Sequence, residues 1–399
     1  MHRNRYIVLL LLLVWSLTGH ATSKGMRFFY RASERIDRYL LQNVDTNYIA
    51  LPEHSWNLAF TTTMVGTNSN YQTRLLGSTY RIGLLLRTTP SVDLGFNAGY
   101  RGFRFGYSWD VLHAYANNLN LSFGGKSLGI EFQRQVSTNL SGNVVNADEP
   151  TYSLGNISSG LLWITNTNLT VWYALNSEHY SHNAAIKQSY IQKKSAGSVL
   201  LSLAYLHTNM SVMDTLTYQG VPIMAYILDS VKSVETHQVA IGLGYGINYT
   251  PNKGKVVLHL AANAQLVCYS INQISVVMDS ALNANLPGEA MFNIYPKFPV
   301  HVTGNIRAAV SWEICPWAYL SCWAQANNIR FTSHETAMAD IRMQNWNWQV
   351  HLNIGVRFGA GKKRVQKALE DMTPLPPTPP IRDSRLPKWI TEYFYSPSL

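Results

Sequence analysis

The sequence is poor in charge, in cysteine and, beyond its first two dozen residues, in long apolar runs. Only 14% of its 399 residues are charged, against roughly 25% in ordinary soluble proteins. Three cysteines are too few to staple a chain of this length, and 46% hydrophobic residues exclude a disordered chain. No later run reaches the roughly 20 apolar residues that a membrane-spanning helix needs. With a mean hydropathy of -0.08 and 12% aromatic residues, two classes remain, a large secreted β protein and a transmembrane β-barrel.

The N-terminus has the three regions of a secretory signal peptide in the usual order. The basic start Met1–Arg5 is followed by an apolar stretch, Tyr6–Leu17, and then by Thr18–Ala21, which ends in small residues. We therefore predict that residues 1–21 are a signal peptide and that the chain is exported.

The segments on either side of the central region have compositions of their own. Residues 22–54 contain Met26–Leu41, in which apolar residues recur at helical spacing, so a short amphipathic helix is predicted in a periplasmic N-terminal segment. Residues 359–399 form a basic tail whose proline-rich stretch, Thr373–Trp389, predicts extended polyproline II structure. This periplasmic tail either contacts a partner or the cell wall, or is a plain solvated tail.

Residues 55–358 alternate between apolar and polar side chains with a period of two, which predicts β-strands. In Trp346–Phe358 one face is entirely apolar, and the other consists of asparagine, glutamine, histidine, glycine and arginine. Thirteen candidate strands begin near Ser55, Thr79, Val92, Gly102, Leu119, Ser127, Thr167, Ser195, His237, Lys255, Val300, Trp317 and Asn345. Bacterial single-chain barrels close with an even number of strands, so we predict twelve, with fourteen as the alternative.

Alternation alone does not separate a membrane barrel from a soluble sandwich, because both have one apolar face per strand. Three features favour the barrel: aromatic residues at strand ends, polar and glycine-rich opposite faces, and connections that alternate in length. The tight turns are Tyr100–Gly102, Gly124–Lys126 and Pro251–Gly254, and the long connections are 136–165, 209–236 and 270–298. The predicted fold is an all-β antiparallel transmembrane barrel in the outer membrane. A secreted β-sandwich or lipocalin-like binding protein is the alternative.

Three stretches carry a family resemblance: Val44–Pro52 (VDTNYIALP), Gly99–Asp110 (GYRGFRFGYSWD) and Ile191–Ser198 (IQKKSAGS). With these motifs the chain resembles the Bacteroidetes outer-membrane family catalogued as domain of unknown function 4421, over about Asp45–Phe358. The resemblance implies an outer-membrane β-barrel and carries no catalytic residues over. The tail beyond Phe358 lies outside the family pattern.

Five charged residues are predicted to lie in or beside the lumen on neighbouring strands. Arg104 and Asp110 share one face of a strand, and Glu131 lies on the inward face of the following hairpin. Arg101 and Lys126 are near the adjoining turns. Because buried charges must be satisfied by water or by each other, we expect a charge network. It would be a constriction that selects solutes, a polar plug, or an ion-pair cluster that stiffens the barrel.

An enzyme would need a nucleophile beside a base at the membrane rim. The residues predicted to face inward on late strands include those an outer-membrane phospholipase would need, namely His259, His301, His351, Ser311 and Asn353. However, the sequence has no compact motif around any serine and no GxxxxGKS, HExxH or CxxC. We therefore predict no catalytic, cofactor-binding or metal site, and a rim hydrolase of the phospholipase type is the alternative.

The predicted function is non-enzymatic: limited solute passage, or a structural and scaffolding role in the outer membrane. The excess of 32 basic over 22 acidic residues suits contact with outer-membrane lipid and lipopolysaccharide phosphates, whereas export argues against nucleic acid. The sequence does not indicate an oligomeric state.

Overall fold

The alternating residues form strands whose apolar faces point outward and whose polar or small faces point inward. Leu243 and Tyr245 are exposed, for example, whereas Gln238 and Ala240 on the same strand are buried. This polarity is the reverse of that of a soluble protein, and it is what a closed barrel in lipid requires. The computed structural model describes Ile36, Leu40 and residues 44–359, except 76–81, 89–91, 112–115, 139, 147–148, 158–161, 213–216, 219–220, 223–230, 252–253, 279–287, 297–299 and 333–338.

The described residues contain strands and one short helix with defined bounds. The strands are β1 (Ile49–Ala50), β2 (Trp56–Leu75), β3 (Ile82–Thr88), β4 (Val92–Tyr100), β5 (Phe103–Asp110), β6 (Asn117–Gly124), β7 (Leu128–Ser137), β8 (Leu140–Asn146), β9 (Glu149–Ile157), β10 (Leu162–Ala174), β11 (Ile191–Gln192), β12 (Ala196–Val212), β13 (Thr217–Tyr218), β14 (Val221–Pro222), β15 (Val231–Tyr249), β16 (Val256–Met278), β17 (Gly288–Ile294), β18 (His301–Cys315), β19 (Ala318–Thr332) and β20 (Ala339–Phe358). The helix is α1 (Ala184–Lys187).

Twelve of these strands form a closed antiparallel barrel in the order β2, β4, β5, β6, β7, β10, β12, β15, β16, β18, β19 and β20. The barrel closes where β20 pairs with β2, from Trp56 opposite Phe358 to Leu75 opposite Ala339. We call this pairing the seam. The predicted fold class and the predicted number of twelve strands are confirmed.

The candidate strand near Thr79 is the one that does not belong to the wall. Thr79 itself lies outside the described residues, and the strand that follows it is β3, which pairs with β2 and β8. β2 is long enough to pair with β4 along its first half and with β3 along its second half. The extra strand therefore extends one end of the barrel, as β8, β9 and β17 also do.

The two ends of the barrel differ in their connections. Tight turns after β4, β6, β15 and β18 lie at the end where β2 begins and β20 ends, which we call the turn end. The connections from β7 to β10, from β12 to β15 and from β16 to β18 lie at the opposite end, the loop end, and contain strands of their own. The predicted long connections lie here. A further long connection, between β10 and β12, lies at the turn end and was not predicted.

The interior at the loop end is closed by a buried apolar cluster. Wall residues pack there against residues of β3 and β8, because the extended strands bring their own apolar side chains over the barrel opening. The buried members are Tyr71, Leu84, Leu86, Leu140, Leu162, Ile164, Ala204, Leu206, Met210, Val234, Ile274, Ile329, Phe331 and Met343.

The segments outside the barrel are described only in part. Ile36 and Leu40 are helical, which agrees with the predicted helix Met26–Leu41 at those two positions. The remainder of that helix, the predicted signal peptide 1–21 and the tail from residue 360 lie outside the described residues. Among the helical residues that the structure describes, none belongs to a helix long and apolar enough to cross a membrane.

Candidate functional site

The segment that joins β10 to β12 at the turn end folds into the barrel. We call this segment, residues 175–195, the plug. It contacts Arg104 on β5, Glu131 on β7, Arg307 on β18 and Arg357 on β20. Since these strands lie on both sides of the seam and span about two thirds of the barrel wall, only an element inside the barrel can contact all of them.

The plug contains a single helical turn, α1, whose last carbonyl groups are satisfied by a side chain. Gln188 follows α1 in the left-handed region, with φ 57°. Its side-chain amide donates to the carbonyls of Ala184 and Ala185 over 3.0 and 3.2 Å. Because the last carbonyls of a helix have no partner within it, this contact replaces the next turn and lets α1 end where it does.

At the centre of the site, one carboxylate of the wall binds two cations. Lys187 Nζ of α1 lies 2.6 Å from Glu131 Oε1, and Arg307 Nη1 lies 2.5 Å from Glu131 Oε2. All three side chains are buried. Burial lowers the pKa of Lys187, and the adjacent carboxylate opposes that shift. The ion pair ties the plug to the wall, because the buried carboxylate would lose one of its two partners if the plug left.

Two further arginines of the wall bind the end of α1. Arg104 Nη1 donates to the Ile186 carbonyl over 2.8 Å, and Arg357 Nη2 donates to Gln188 Oε1 over 2.9 Å. Guanidinium groups keep their charge when buried and hold several donors in a fixed plane. Two wall arginines therefore hold the end of α1 directly, and Arg307 acts on it through Glu131, the partner of Lys187.

Ahead of α1, the plug packs aromatic and histidine side chains against the wall. Tyr180 Oη is 3.1 Å from His182 Nδ1, and the His182 ring packs edge-on against His259 of β16 at 5.0 Å. Asn248 of β15 donates to the Ser181 carbonyl and bonds to His259 Nδ1, each over 2.8 Å. Burial lowers the pKa of His182 well below its usual value, and His259 and Arg307 lower it further. The His182 ring is therefore neutral at pH 7.

Glycines in the wall leave space for these plug residues. An ideal β-carbon on Gly124 would lie 2.0 Å from the side-chain nitrogen Nδ2 of Asn183, and one on Gly246 would lie 2.1 Å from Tyr180 Oη. Glycine is needed where another part of the chain approaches a strand this closely. The small residues on the inner face thus match the shape of the plug.

Residues that precede the barrel cover the plug at the turn end. β1 pairs antiparallel with β11 of the plug, with Ile49 opposite Gln192. Lys193 N of the plug donates to the Tyr48 carbonyl over 2.7 Å. Beneath this pair lies a small apolar cluster whose buried members are Leu40, Ile49, Ala184 and Tyr190.

The three sequence motifs meet around the plug. β1 lies in Val44–Pro52, and β11 lies in Ile191–Ser198. Gly99–Asp110 contributes two arginines. Arg101 Nη1 donates to the Pro52 carbonyl over 3.0 Å, and Arg104 binds the end of α1. The residues that carry the resemblance therefore include several that hold or cover the plug.

The structure brings together two of the five residues of the predicted charge network. Arg104 is opposite Ser122, and Ser122 is opposite Glu131, so the two charges lie in one row on either side of α1. Asp110 lies at the other end of β5, opposite Asp93. Arg101 and Lys126 lie at turns of the turn end, where Arg101 binds the carbonyl of Pro52. The five residues do not converge on one place. Asp110 is separated from Arg104 by the length of β5, and Arg101 and Lys126 lie at the turns beyond the strand ends.

The three histidines of the alternative hydrolase lie apart. His259 belongs to the plug contacts described above. His351 is buried on β20, 2.9 Å from Thr63 Oγ1 and stacked on Trp323 at 3.9 Å. His301 is half-buried near the loop end, 3.3 Å from Gln238 Nε2. The described residues include no hydrogen bond between Ser311 and a histidine, and Asn353 donates to Ser321 Oγ over 3.2 Å.

The sequence patterns did not identify the plug residues His182 and Lys187 or the role of Arg307 and Arg357. One feature of the chain does point to the plug. The connection between β10 and β12 is long, although it lies on the side where the other turns are tight. In the structure this long connection enters the barrel opening.

The space that remains beside the ion pair is small. A cavity next to Glu131, His182 and Arg307 has a volume of about 40 Å³, and a second one next to Arg104 and Lys187 has about 20 Å³. Since one water needs about 10 to 15 Å³ of such space, these cavities have room for only a few waters. Neither is a path for a solute.

The family comparison covers the barrel together with the segments that close its turn end. A family model described as Domain of unknown function (DUF4421) matches residues 43–358. The chain belongs to this family. The match includes β1, the plug and all twelve wall strands, so the family resemblance predicted from the motifs is confirmed, while the attribution to Bacteroidetes stays a prediction. A comparison with curated protein sequences gives no match.

Solved structures with some likeness to the chain are barrels of bacterial outer membranes. The outer membrane protease OmpT from Escherichia coli is 7% identical, with 77% of this chain and 98% of that chain covered and a TM-score of 0.34. The toluene transporter TbuX from Ralstonia pickettii is 10% identical, with 77% and 90% covered and a TM-score of 0.32. The beta domain of the Bordetella autotransporter BrkA is 10% identical, with 76% and 100% covered and a TM-score of 0.31. Likeness at this level carries no argument about function.

Proposed function

We propose that this chain is an outer-membrane protein without enzymatic activity, whose barrel is closed by its own plug and has a structural or scaffolding role. The observation that carries the proposal is the buried group in which Glu131 of the wall binds both Lys187 of the plug and Arg307. The plug fills the turn end of the lumen, and the apolar cluster fills the loop end. Limited solute passage would require the plug to move.

In this proposal the turn end faces the periplasm. Bacterial barrels have short periplasmic turns and long extracellular loops, and the tight turns, the plug and β1 share one end here. The outward residues of the wall, such as Leu243 and Ile354, each 60% exposed, contact lipid.

Two kinds of partner follow from this orientation. Outer-membrane lipid and lipopolysaccharide surround the wall, and the basic, proline-rich segment 359–399 contacts the cell wall. Sedimentation with peptidoglycan sacculi tests the second partner. We expect the full chain to sediment with sacculi and a chain that ends at Gly359 to stay in the supernatant. Equal sedimentation of the two would contradict the contact.

Single-channel recording in planar bilayers tests the closed lumen. We expect no conductance steps from the wild type, because both ends of the lumen are filled. Floatation of the same proteoliposomes on a density gradient, with quantification of the inserted chain, shows that the silence reflects a closed barrel. Regular steps from the wild type would contradict the proposal and favour solute passage.

Hydrolysis assays on the same proteoliposomes test the absence of enzymatic activity. We expect no release of fatty acid from phospholipid, because His259 and His351 are buried in contacts with Asn248 and Thr63. Release that His259→Ala or His351→Ala abolishes, while an exposed variant such as Glu53→Gln does not, would establish the rim hydrolase instead.

A further inference from the structure

On the outside of the barrel, β12 and β15 change from apolar to polar at the same level near the loop end. The outward-facing residues are, along β12, Leu201, Leu203, Tyr205, His207 and Asn209, and, along β15 in the reverse direction, Leu243, Ile241, Val239, His237 and Glu235. Two histidines and a carboxylate therefore lie together where the lipid-facing apolar band ends.

The register of the two strands brings the three side chains to one point. His207 is directly opposite His237, and Glu235 is the next outward-facing residue on β15. The two imidazole rings are stacked 4.5 Å apart with 11° between their planes. Glu235 Oε2 lies 3.5 Å from His207 Nε2 and 3.6 Å from His237 Nε2, and one ligand atom from each residue lies within 4.8 Å of the others.

The two distances from the carboxylate to the imidazoles match those between ligand atoms around a small divalent ion. Zinc binds histidine nitrogen and carboxylate oxygen at about 2.0 to 2.2 Å in a tetrahedron, which places neighbouring ligand atoms about 3.4 Å apart. Direct hydrogen bonds between the same atoms would be about 2.7 to 3.2 Å long. The observed 3.5 and 3.6 Å are longer than such bonds and close to the ligand separation, so an ion can lie between the side chains.

Neighbouring residues hold two of the three groups in a ligating orientation. Tyr205 Oη lies 2.8 Å from His237 Nδ1, which leaves Nε2 of that ring directed at the site. Asn209 Nδ2 donates to Glu235 Oε1 over 3.0 Å, which leaves Oε2 directed at the site. Such bonds to the far side of a ligand are characteristic of metal sites, where they fix the tautomer and the ring.

We propose that His207, His237 and Glu235 form a binding site for a divalent transition-metal ion, with Zn²⁺ as the representative ion, on the outer wall of the barrel. Two imidazoles and one carboxylate favour zinc, copper or nickel over calcium and magnesium, which prefer oxygen ligands. The three protein ligands leave a fourth position open to an oxygen ligand. The ion would link β12 to β15 at the edge of the apolar band.

Metal titration of the purified full chain in detergent tests this site. The chain is prepared without a histidine tag and freed of metal, and Zn²⁺ alone is added in a calorimeter, followed by Co²⁺ as a spectroscopic probe. We expect one Zn²⁺ per chain and the visible absorption bands of four-coordinate Co²⁺. A chain that binds no metal would overturn the proposal, and the cluster would then be an ion pair of Glu235 with a protonated histidine.

Variants show whether the bound metal occupies this site. His207→Ala and His237→Ala should each abolish binding, whereas His301→Ala, which removes another half-buried histidine near the loop end, should leave it unchanged. Tyr205→Phe should weaken binding about 10- to 100-fold, because it removes only the contact that orients His237. Far-UV circular dichroism confirms that each variant is folded. Binding that persists in the His207→Ala/His237→Ala double variant would place the metal elsewhere and overturn the proposal.

Discussion

The side-chain amide nitrogen of Asn183 in the plug lies only 2.0 Å from the ideal position of a β-carbon on Gly124 of the wall. A side chain at position 124 would therefore collide with the plug. Asn183 is fully buried and is the N-cap residue that immediately precedes α1. The plug can therefore take this position only because the residue at the end of β6 is a glycine.

Gly124→Ala should loosen the plug, because the new methyl group displaces Asn183 and with it the start of α1. Trypsin cleavage after Lys187, followed by mass spectrometry, reports the change, since the Lys187 side chain is buried in the wild type and should be protected. Gly304→Ala is the matched control, because the nearest atom to its β-carbon is 3.7 Å away. Equal protection in the two variants would show that the plug tolerates the methyl group.

Glu131→Gln should destabilise the chain more than Lys187→Met. The first change leaves Lys187 and Arg307 buried together without an anion, and breaking a buried ion pair in this way costs about 3 to 5 kcal/mol. The second change leaves the contact of Glu131 with Arg307 in place. Urea unfolding followed by circular dichroism measures both free energies, with the exposed Glu53→Gln as control. The reverse order would mean that the plug lysine, and not the wall carboxylate, organises the site.

Acid should destabilise the plugged state through His182. Its pKa in the folded chain is lowered by burial, by His259 and by the cations Arg307 and Lys187, and raised in part by Glu131. The unfolded chain therefore binds the proton more readily, and stability falls as the pH drops below the ordinary value of 6.5. The loss is at most about 1.4 kcal/mol per pH unit for this residue.

The melting temperature at pH 8 and at pH 5 measures this effect. It should fall more in the wild type than in His182→Gln, because glutamine keeps a polar side chain but does not titrate. Parallel decreases in the two proteins would assign the acid sensitivity to other groups.

Leu243→Arg should oppose insertion of the barrel into lipid. Leu243 is 60% exposed on the middle of the outward apolar face of β15, and an arginine near the bilayer midplane costs about 2 to 4 kcal/mol. Ser233→Arg, on the same strand near the loop end, should cost about 0 to 1 kcal/mol, as expected near the interface. Folding equilibria in phospholipid vesicles measure both, and equal costs would contradict the assignment of this face to lipid.

The wall of the barrel could be predicted because its signal is local and repeated. In Trp346–Phe358, every second residue is apolar, and the same alternation recurs in enough segments to imply closure. The even-number rule then removed one of thirteen candidates, and the structure shows that this was the strand near Thr79, which pairs with the second half of β2 but does not belong to the wall.

The plug could not be predicted from the same kind of signal. Its helix is one turn long, so it has no periodicity, and its position depends on contacts with residues far away in the chain, such as Glu131 and Arg307. The sequence pattern placed Arg104 and Glu131 on inward faces, but it did not predict that Lys187 lies between them. A lysine in a connection between strands gives no indication of which carboxylate it will contact. The site at His207 and His237 was missed for a similar reason, since only the strand register makes them neighbours.

The seam has a consequence for how the chain folds. Thr61 and Asn353 share a hydrogen bond of 2.8 Å across it, although 292 residues separate them in sequence. Contacts of such high sequence separation form late and slowly, because the loop between them must be ordered first. Until then β2 and β20 each present a long unpaired edge, which is the kind of surface that templates aggregation. The yield of folded barrel should therefore depend on how long those two edges stay open, so a factor that shields them would raise the yield without changing the stability of the finished protein.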